Sequence, residues 1–276
     1  MYLRPSGVSG VRLSGPFKVN GERQILFMTP AFFLSNGERL FSVYHAPTVP
    51  PRSHGVLLCY PLGHEYMRSH WAFRQLASRL AAAGFDVLRF DYFGTGDSSG
   101  EPSQASPEMW IENIQDAGRE LSRITRCPTL SIVGLRLGAL LAAHAVKREM
   151  SCKTLVQWDP IVEGSQYLSG VRELTSQLYA QEPLSRHSST EHQSEPMMGL
   201  QLSDPAARDL SLLRGVGGQM IKDTKIVTLF SSVRQQGQVS HGKVVEGGGE
   251  WQSLHKVGDA VLNAALLQEI QVVLSE

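Results

Sequence analysis

Between residues 55 and 160, short apolar runs and helical patterns take turns along the chain. GVLLCYPL (55–62) is a continuous apolar run of the kind a buried parallel strand shows. HWAFRQLASRLAAA (70–83) carries its apolar residues at helical spacing and ends at Gly84. DVLRFDYFG (86–94) reads as a strand running into a glycine turn. Residues 107–125 read as a helix, with Ser106 as its cap and Pro107 in its first position. TLSIVGL (129–135) is a strand, LGALLAAHAVKREM (137–150) a helix and KTLVQWDP (153–160) a strand. This β-α-β-α-β-α-β order demands right-handed crossovers and gives a mostly parallel, doubly wound sheet.

The flanks narrow the choice. Residues 25–35 and 39–46 read as two strands joined by Asn36-Gly37, a strong hairpin signal. An antiparallel hairpin ahead of the parallel sheet fits poorly with a dinucleotide fold, whose first strand carries the phosphate loop. Residues 161–222 break the alternation: a helical stretch at 167–181, a polar segment at 182–196 and a helix-like run near 204–214. This insertion is expected to cap the strand ends. KIVTLFSS (225–232) and GKVVEGG (242–248) resume the sheet, and 257–274 reads as a closing helix with an apolar face. Residues 1–24 form a weakly patterned extension, and 25–274 form one domain.

The motif Gly134-Leu135-Arg136-Leu137-Gly138 sits where a strand turns into a helix. A nucleophile elbow, G-x-S-x-G, needs that context, because its glycines allow a sharp turn that thrusts the middle residue out at the sheet's carboxyl edge. Together with the strand order, it gives the fold class: α/β, an α/β-hydrolase fold with an N-terminal antiparallel hairpin and a helical cap insertion. The serine is missing. Arginine is always protonated and has no nucleophilic lone pair, so Ser-His-Asp acyl transfer through position 136 is excluded. A cation at a helix N-terminus is unfavourable by roughly 0.3–1 kcal/mol when exposed, so Arg136 calls for a negative partner. Glu65 and Asp159 are the internal candidates. A bound carboxylate or phosphate, held by the guanidinium and the helix amides, is the external one.

The other stations of the fold are partly filled. Tyr60-Pro61-Leu62-Gly63-His64-Glu65 follows the first crossover strand, where one oxyanion-hole amide normally lies. Leu62 or Gly63 would supply that amide and Leu137 the other, with His64 and Glu65 at the same edge as substrate-contacting candidates. Asp159 ends the strand after the elbow helix, where some hydrolases carry the triad acid, and it equally suits a turn residue or a partner of Arg136. His255 is the only histidine between the last candidate strand and the closing helix. It falls later than a triad histidine should, and Trp251 stands nearer the usual place. The loop Asp91 to Gly100 resembles D-x-x-G-x-G-x-S turns of this fold and lacks the Lys-Ser/Thr pair of a phosphate loop. Ser98, Ser99 and Cys59 are weak candidates for a migrated nucleophile, since none lies on an elbow.

Composition excludes several classes. Lys+Arg and Asp+Glu are both 26, so no global field points to nucleic acid or an anionic membrane. No run approaches the ~18 apolar residues of a membrane span, and no secretory leader is evident. The three cysteines, Cys59, Cys127 and Cys152, show neither metal-ligand spacing nor a disulfide framework. A cytoplasmic protein without cofactor or metal is expected, and its oligomeric state is left open.

YPLGHEYMRSHWAF, FDYFGTGDSSG, VGLRLGALLAA, LVQWDPIVEGSQYL and EWQSLHKV together resemble the hydrolase-like proteins encoded beside exosortase systems in bacterial exopolysaccharide gene clusters. These are divergent relatives of the serine aminopeptidase-type α/β-hydrolases. The resemblance covers about residues 25–274. It implies that G-L-R-x-G at the elbow is a lineage feature, and that the chain has an accessory role in a biosynthetic or export cluster. It names no substrate.

Two functions compete on these residues. One is an enzyme handling an acyl or anionic small molecule by non-serine chemistry, with Asp159, His255 or Glu65 as acid-base groups and Arg136 orienting the substrate. The other is a non-catalytic binding or assembly protein. A closed internal pair at Arg136 favours the remnant of a lost active site, and an exposed guanidinium facing an empty apolar pocket favours an anion-binding site.

Overall fold

The computed structural model of the protein describes residues 18–19, 22–23, 28–181, 197–216, 221–233, 241–246, 251 and 263–276. The strands are β1 (Lys18–Val19), β2 (Glu22–Arg23), β3 (Met28–Ser35), β4 (Glu38–His45), β5 (His54–Cys59), β6 (Asp86–Phe90), β7 (Thr129–Leu135), β8 (Thr154–Trp158), β9 (Lys225–Phe230) and β10 (Lys243–Val244). The α-helices are α1 (His64–Ala82), α2 (Pro107–Thr125), α3 (Leu137–Lys147), α4 (Gly164–Gln181), α5 (Asp204–Leu212) and α6 (Ala264–Ser275).

β3 to β10 form one sheet in the order β10-β9-β8-β7-β5-β6-β4-β3. β3–β4 and β4–β6 are antiparallel, and every other pair is parallel. This is the mostly parallel sheet with an antiparallel start that the sequence implies. The Asn36-Gly37 turn supplies it, with positive φ at both residues. Central strands β5, β6 and β8 are buried along their whole length, as strands covered on both faces must be. The Ser106 hydroxyl caps α2 by accepting from the Met109 amide at 3.2 Å. No helix among the described residues is long and apolar enough to cross a membrane.

One boundary differs from the sequence reading in a way that matters. α1 begins at His64, not near residue 70. Its first turns bury His64, Glu65, Arg68 and Ser69, so the inward face is polar there and shows no hydrophobic period. Helices α4 and α5 stand between β8 and β9, as the insertion requires. The polar segment 182–196 lies outside the described residues.

Two histidines lie inside the sheet layers. His45 Nε2 accepts from Arg89 Nε at 3.0 Å, and His54 Nε2 meets Ser131 Oγ at 2.9 Å. Burial first, and neighbouring cations second, lower both imidazoles from 6.5 to about 4. The unfolded chain therefore takes up these protons near pH 6.5 and the folded chain only near 4. Stability is complete above that window and declines as pH falls through it, at most by about 1.4 kcal/mol per pH unit per histidine. Urea unfolding of the His45→Gln and His54→Gln variants checks this. Each should show a shallower decline than the native chain, and identical slopes would contradict the assignment.

Candidate functional site at the strand-to-helix elbow

The elbow keeps its geometry. Arg136 links β7 to α3 with φ 53° and ψ −119°, a conformation that costs a non-glycine residue on the order of 1–3 kcal/mol. Both flanking glycines are needed for space. A Cβ at Gly134 would lie 2.6 Å from Ala139 Cα, and one at Gly138 would lie 2.2 Å from the Tyr60 carbonyl oxygen. The turn therefore packs main chain against main chain, and residue 136 is driven to the carboxyl edge of the sheet.

There the guanidinium is buried, with only 7% of the side chain exposed, against none for Glu65. Arg136 Nε donates to Glu65 Oε1 at 3.1 Å. Arg136 Nη1 lies 3.4 Å from the backbone carbonyl of Asp159, a long contact. Of the two internal partners open to Arg136, Glu65 makes the ion pair. The Asp159 carboxylate is engaged elsewhere. Its Oδ1 accepts from the Ser231 amide at 2.8 Å, and its Oδ2 from the Ser231 hydroxyl at 2.5 Å and the Trp251 indole Nε1 at 2.9 Å. Burial pushes the Asp159 pKa upward, and the Ser231 and Trp251 donors, with Arg136, pull against it.

Trp251 is held from every side. Its carbonyl accepts from Arg68 Nη1 at 3.0 Å and meets His64 Nε2 at 3.2 Å. The Arg68 and Arg136 guanidinium carbons lie 5.6 Å and 5.8 Å from the centre of its ring. Burial lowers the His64 pKa, and its Nε2, facing a carbonyl oxygen, is the donor in this contact. Position 136 thus carries arginine, and an indole donates to Asp159 as a triad histidine would to its acid.

The loop before α1 is also occupied from within. The His64 amide donates to the Met198 carbonyl at 2.8 Å. The turn Met197 to Leu200 closes on itself and lies over Gly63, where a Cβ would be 3.1 Å from the Met198 oxygen. Leu62 and Leu137 are buried beside it. Tyr167 of α4 closes the site from the insertion; burial holds its phenol well above its usual pKa, and Glu65 and Arg136 act on it electrostatically.

Arg136, Glu65, His64 and Asp159 therefore meet as the sequence places them, at one edge. His255 lies outside the described residues. Of the two donors to Asp159, Trp251 stands in the sequence near the expected histidine position, and Ser231 carries no sequence signal. Ser98 and Ser99 hydroxyls bond the β4 main chain, and Cys59 is fully buried with its thiol pushed up in pKa. Among the described residues no cluster could hold a metal ion.

The sequence profile described as serine aminopeptidase, S33, matches residues 61–204, more than half of the chain. The chain belongs to this α/β-hydrolase family. None of the curated proteins matches it. Solved structures share the fold at low identity. Hypothetical protein PA2218 of Pseudomonas aeruginosa is 15% identical, covering 90% of this chain and 92% of its own, with a TM-score of 0.59. Est1E of Butyrivibrio proteoclasticus, solved with ferulic acid bound, is 17% identical over 88% and 96%, with a TM-score of 0.55. XC6422 of Xanthomonas campestris, a serine hydrolase without a lid, is 13% identical over 95% of each chain, with a TM-score of 0.53.

Breaking a buried ion pair from one side leaves an uncompensated charge and costs about 3–5 kcal/mol, whereas replacing both partners by apolar groups is often neutral. Arg136→Met and Glu65→Leu should each lower unfolding free energy by about that amount. The double variant should recover most of the loss. Additive losses would show that the two side chains are not coupled.

Proposed function

We propose that this family member is a non-hydrolytic α/β-hydrolase-fold protein, which binds its partner without turning it over. One observation carries this reading: each triad-like position is engaged by another protein group. The Arg136 cation is paired with Glu65, and the Asp159 carboxylate accepts from Ser231 and Trp251. A serine hydrolase needs a free nucleophile beside an imidazole base. Among the described residues those positions hold a guanidinium and an indole, neither of which accepts a proton near neutral pH. The resemblance to the exosortase-associated proteins supports an accessory role in a bacterial exopolysaccharide-type pathway with a cytoplasmic location, and the partner proposed for it is a small acyl or anionic molecule.

One detail favours a second function, non-serine chemistry on such a molecule. Glu65 Oε2 is buried without a hydrogen-bond donor among the described residues, which leaves one carboxylate oxygen uncommitted beside Arg136.

A fluorophosphonate probe and a panel of esters, thioesters and amides separate the two. The binding reading expects no covalent adduct and no turnover. It also expects Arg136→Ser to stay unlabelled, because Trp251 gives the new serine no base. A serine adduct on the native chain, or turnover abolished by both Glu65→Gln and Arg136→Ala in folded protein, would overturn it in favour of chemistry.

A further inference from the structure

A third buried arginine, Arg89, lies away from the elbow, under the α1 side of the sheet. Sheet register puts Pro30, Val43, Arg89 and Leu58 in one row across β3, β4, β6 and β5, so their side chains share a face. The next row toward the amino end of β6 is Met28, His45, Val87 and Val56. Helix α1 packs over the β6 and β4 part of these rows. At the β3 end, Met28 and Phe32 remain 38% and 45% exposed.

Arg89 stands on β6, with β4 between it and the exposed row of β3. It is only 9% exposed, yet both of its hydrogen bonds go to neutral groups: Nε to His45 Nε2 at 3.0 Å and Nη1 to the Tyr60 hydroxyl at 3.1 Å. The low pKa of His45 and a Tyr60 phenol raised by burial to about 12 keep both acceptors uncharged. Among the described residues no carboxylate pairs with Arg89, and no acceptor meets Nη2. Asp91, on the same face, is already committed: it accepts from the Tyr66 hydroxyl at 2.8 Å and the Asp97 amide at 3.1 Å. The other ionisable groups around the spot are basic. His70 is exposed and stacks on Tyr60 at 5.9 Å, and the exposed Arg74 acts electrostatically on both His45 and His70. Arg39 lies over the exposed Phe32 ring at 4.4 Å.

A guanidinium this buried is costly without an anion, and its free edge has the fork geometry of a carboxylate or phosphate. Exposed apolar side chains lie beyond β4 on one side, and the Arg74 cation and the His70 imidazole, its pKa lowered by burial, lie on the other. We propose that Arg89, with His70 and Arg74 at its rim, binds the oxyanion head of an amphiphile, a phosphate or carboxylate whose apolar body lies along Met28, Pro30 and Phe32. Charge complementarity names the head, and the exposed apolar row names the body. This site is separate from Arg136 and does not depend on whether the elbow is catalytic.

Titration calorimetry with monomeric dodecyl phosphate and dodecanoate tests it, with dodecyltrimethylammonium and inorganic phosphate as controls. At least one amphiphilic anion should bind, more tightly than inorganic phosphate. The cationic amphiphile should not bind at this site. Arg89→Lys should weaken binding by about tenfold or more, because an ammonium cannot replace the fork. Arg74→Ala, at an exposed position that leaves the fold intact, should weaken it by a smaller factor. The idea is overturned if neither anion binds, if the cationic amphiphile binds equally well, or if Arg74→Ala and Arg89→Lys both bind like the native chain. Fluorophosphonate labelling would bear on the elbow alone and would leave this result unchanged.

Discussion

The sharp turn at residue 136 is the constraint from which the rest of the site follows. A strand cannot pass into α3 here unless Gly134 and Gly138 let main chain touch main chain, and that geometry forces residue 136 into the crowded edge of the sheet. In a hydrolase the residue there is a small hydroxyl amino acid. Here it is a permanent cation, taken out of water at the amino end of a helix that already disfavours it. The surrounding groups answer that demand. Glu65 supplies the charge, from a first helical turn that buries polar side chains for the purpose. Trp251 supplies a polarisable face to Arg136 and a donor to Asp159. The turn at Met198 takes up the His64 amide at the neighbouring loop.

Buried ion pairs of this kind add little net stability over an apolar replacement, because desolvation offsets most of the Coulomb gain. Their effect is to fix arrangement. With Arg136, Arg68 and Asp159 all converging on Trp251, the indole has one position that satisfies its ring, its N–H and its carbonyl together. Such a network resists partial opening, since releasing any one member exposes the others unpaired.

Much of this was legible in the sequence, and the gaps have physical causes. The strand and helix order, the Asn36-Gly37 hairpin and the elbow were all readable, because glycine positions and apolar periods are local properties. The start of α1 was hidden, because His64, Glu65, Arg68 and Ser69 face inward and break the apolar period. Glu65 could be named as a partner of Arg136, but the choice between it and Asp159 depended on contacts across 71 and 72 residues of chain that no spacing reveals. Arg89 reads as an interruption within a strand. Only the register of three strands and the packing of α1 show where it stands.

Trp251 is locked to Asp159, donating to it as a catalytic histidine would donate to its acid. The chain has four tryptophans, so its indole N–H signals form a small set that can be assigned by Trp251→Phe. Hydrogen exchange of the Trp251 indole proton, followed by NMR at neutral pH, is the most direct measure. Strong protection that collapses in Asp159→Ala is the expected result. An indole proton exchanging freely with water in the native chain would contradict the lock and reopen the site to chemistry.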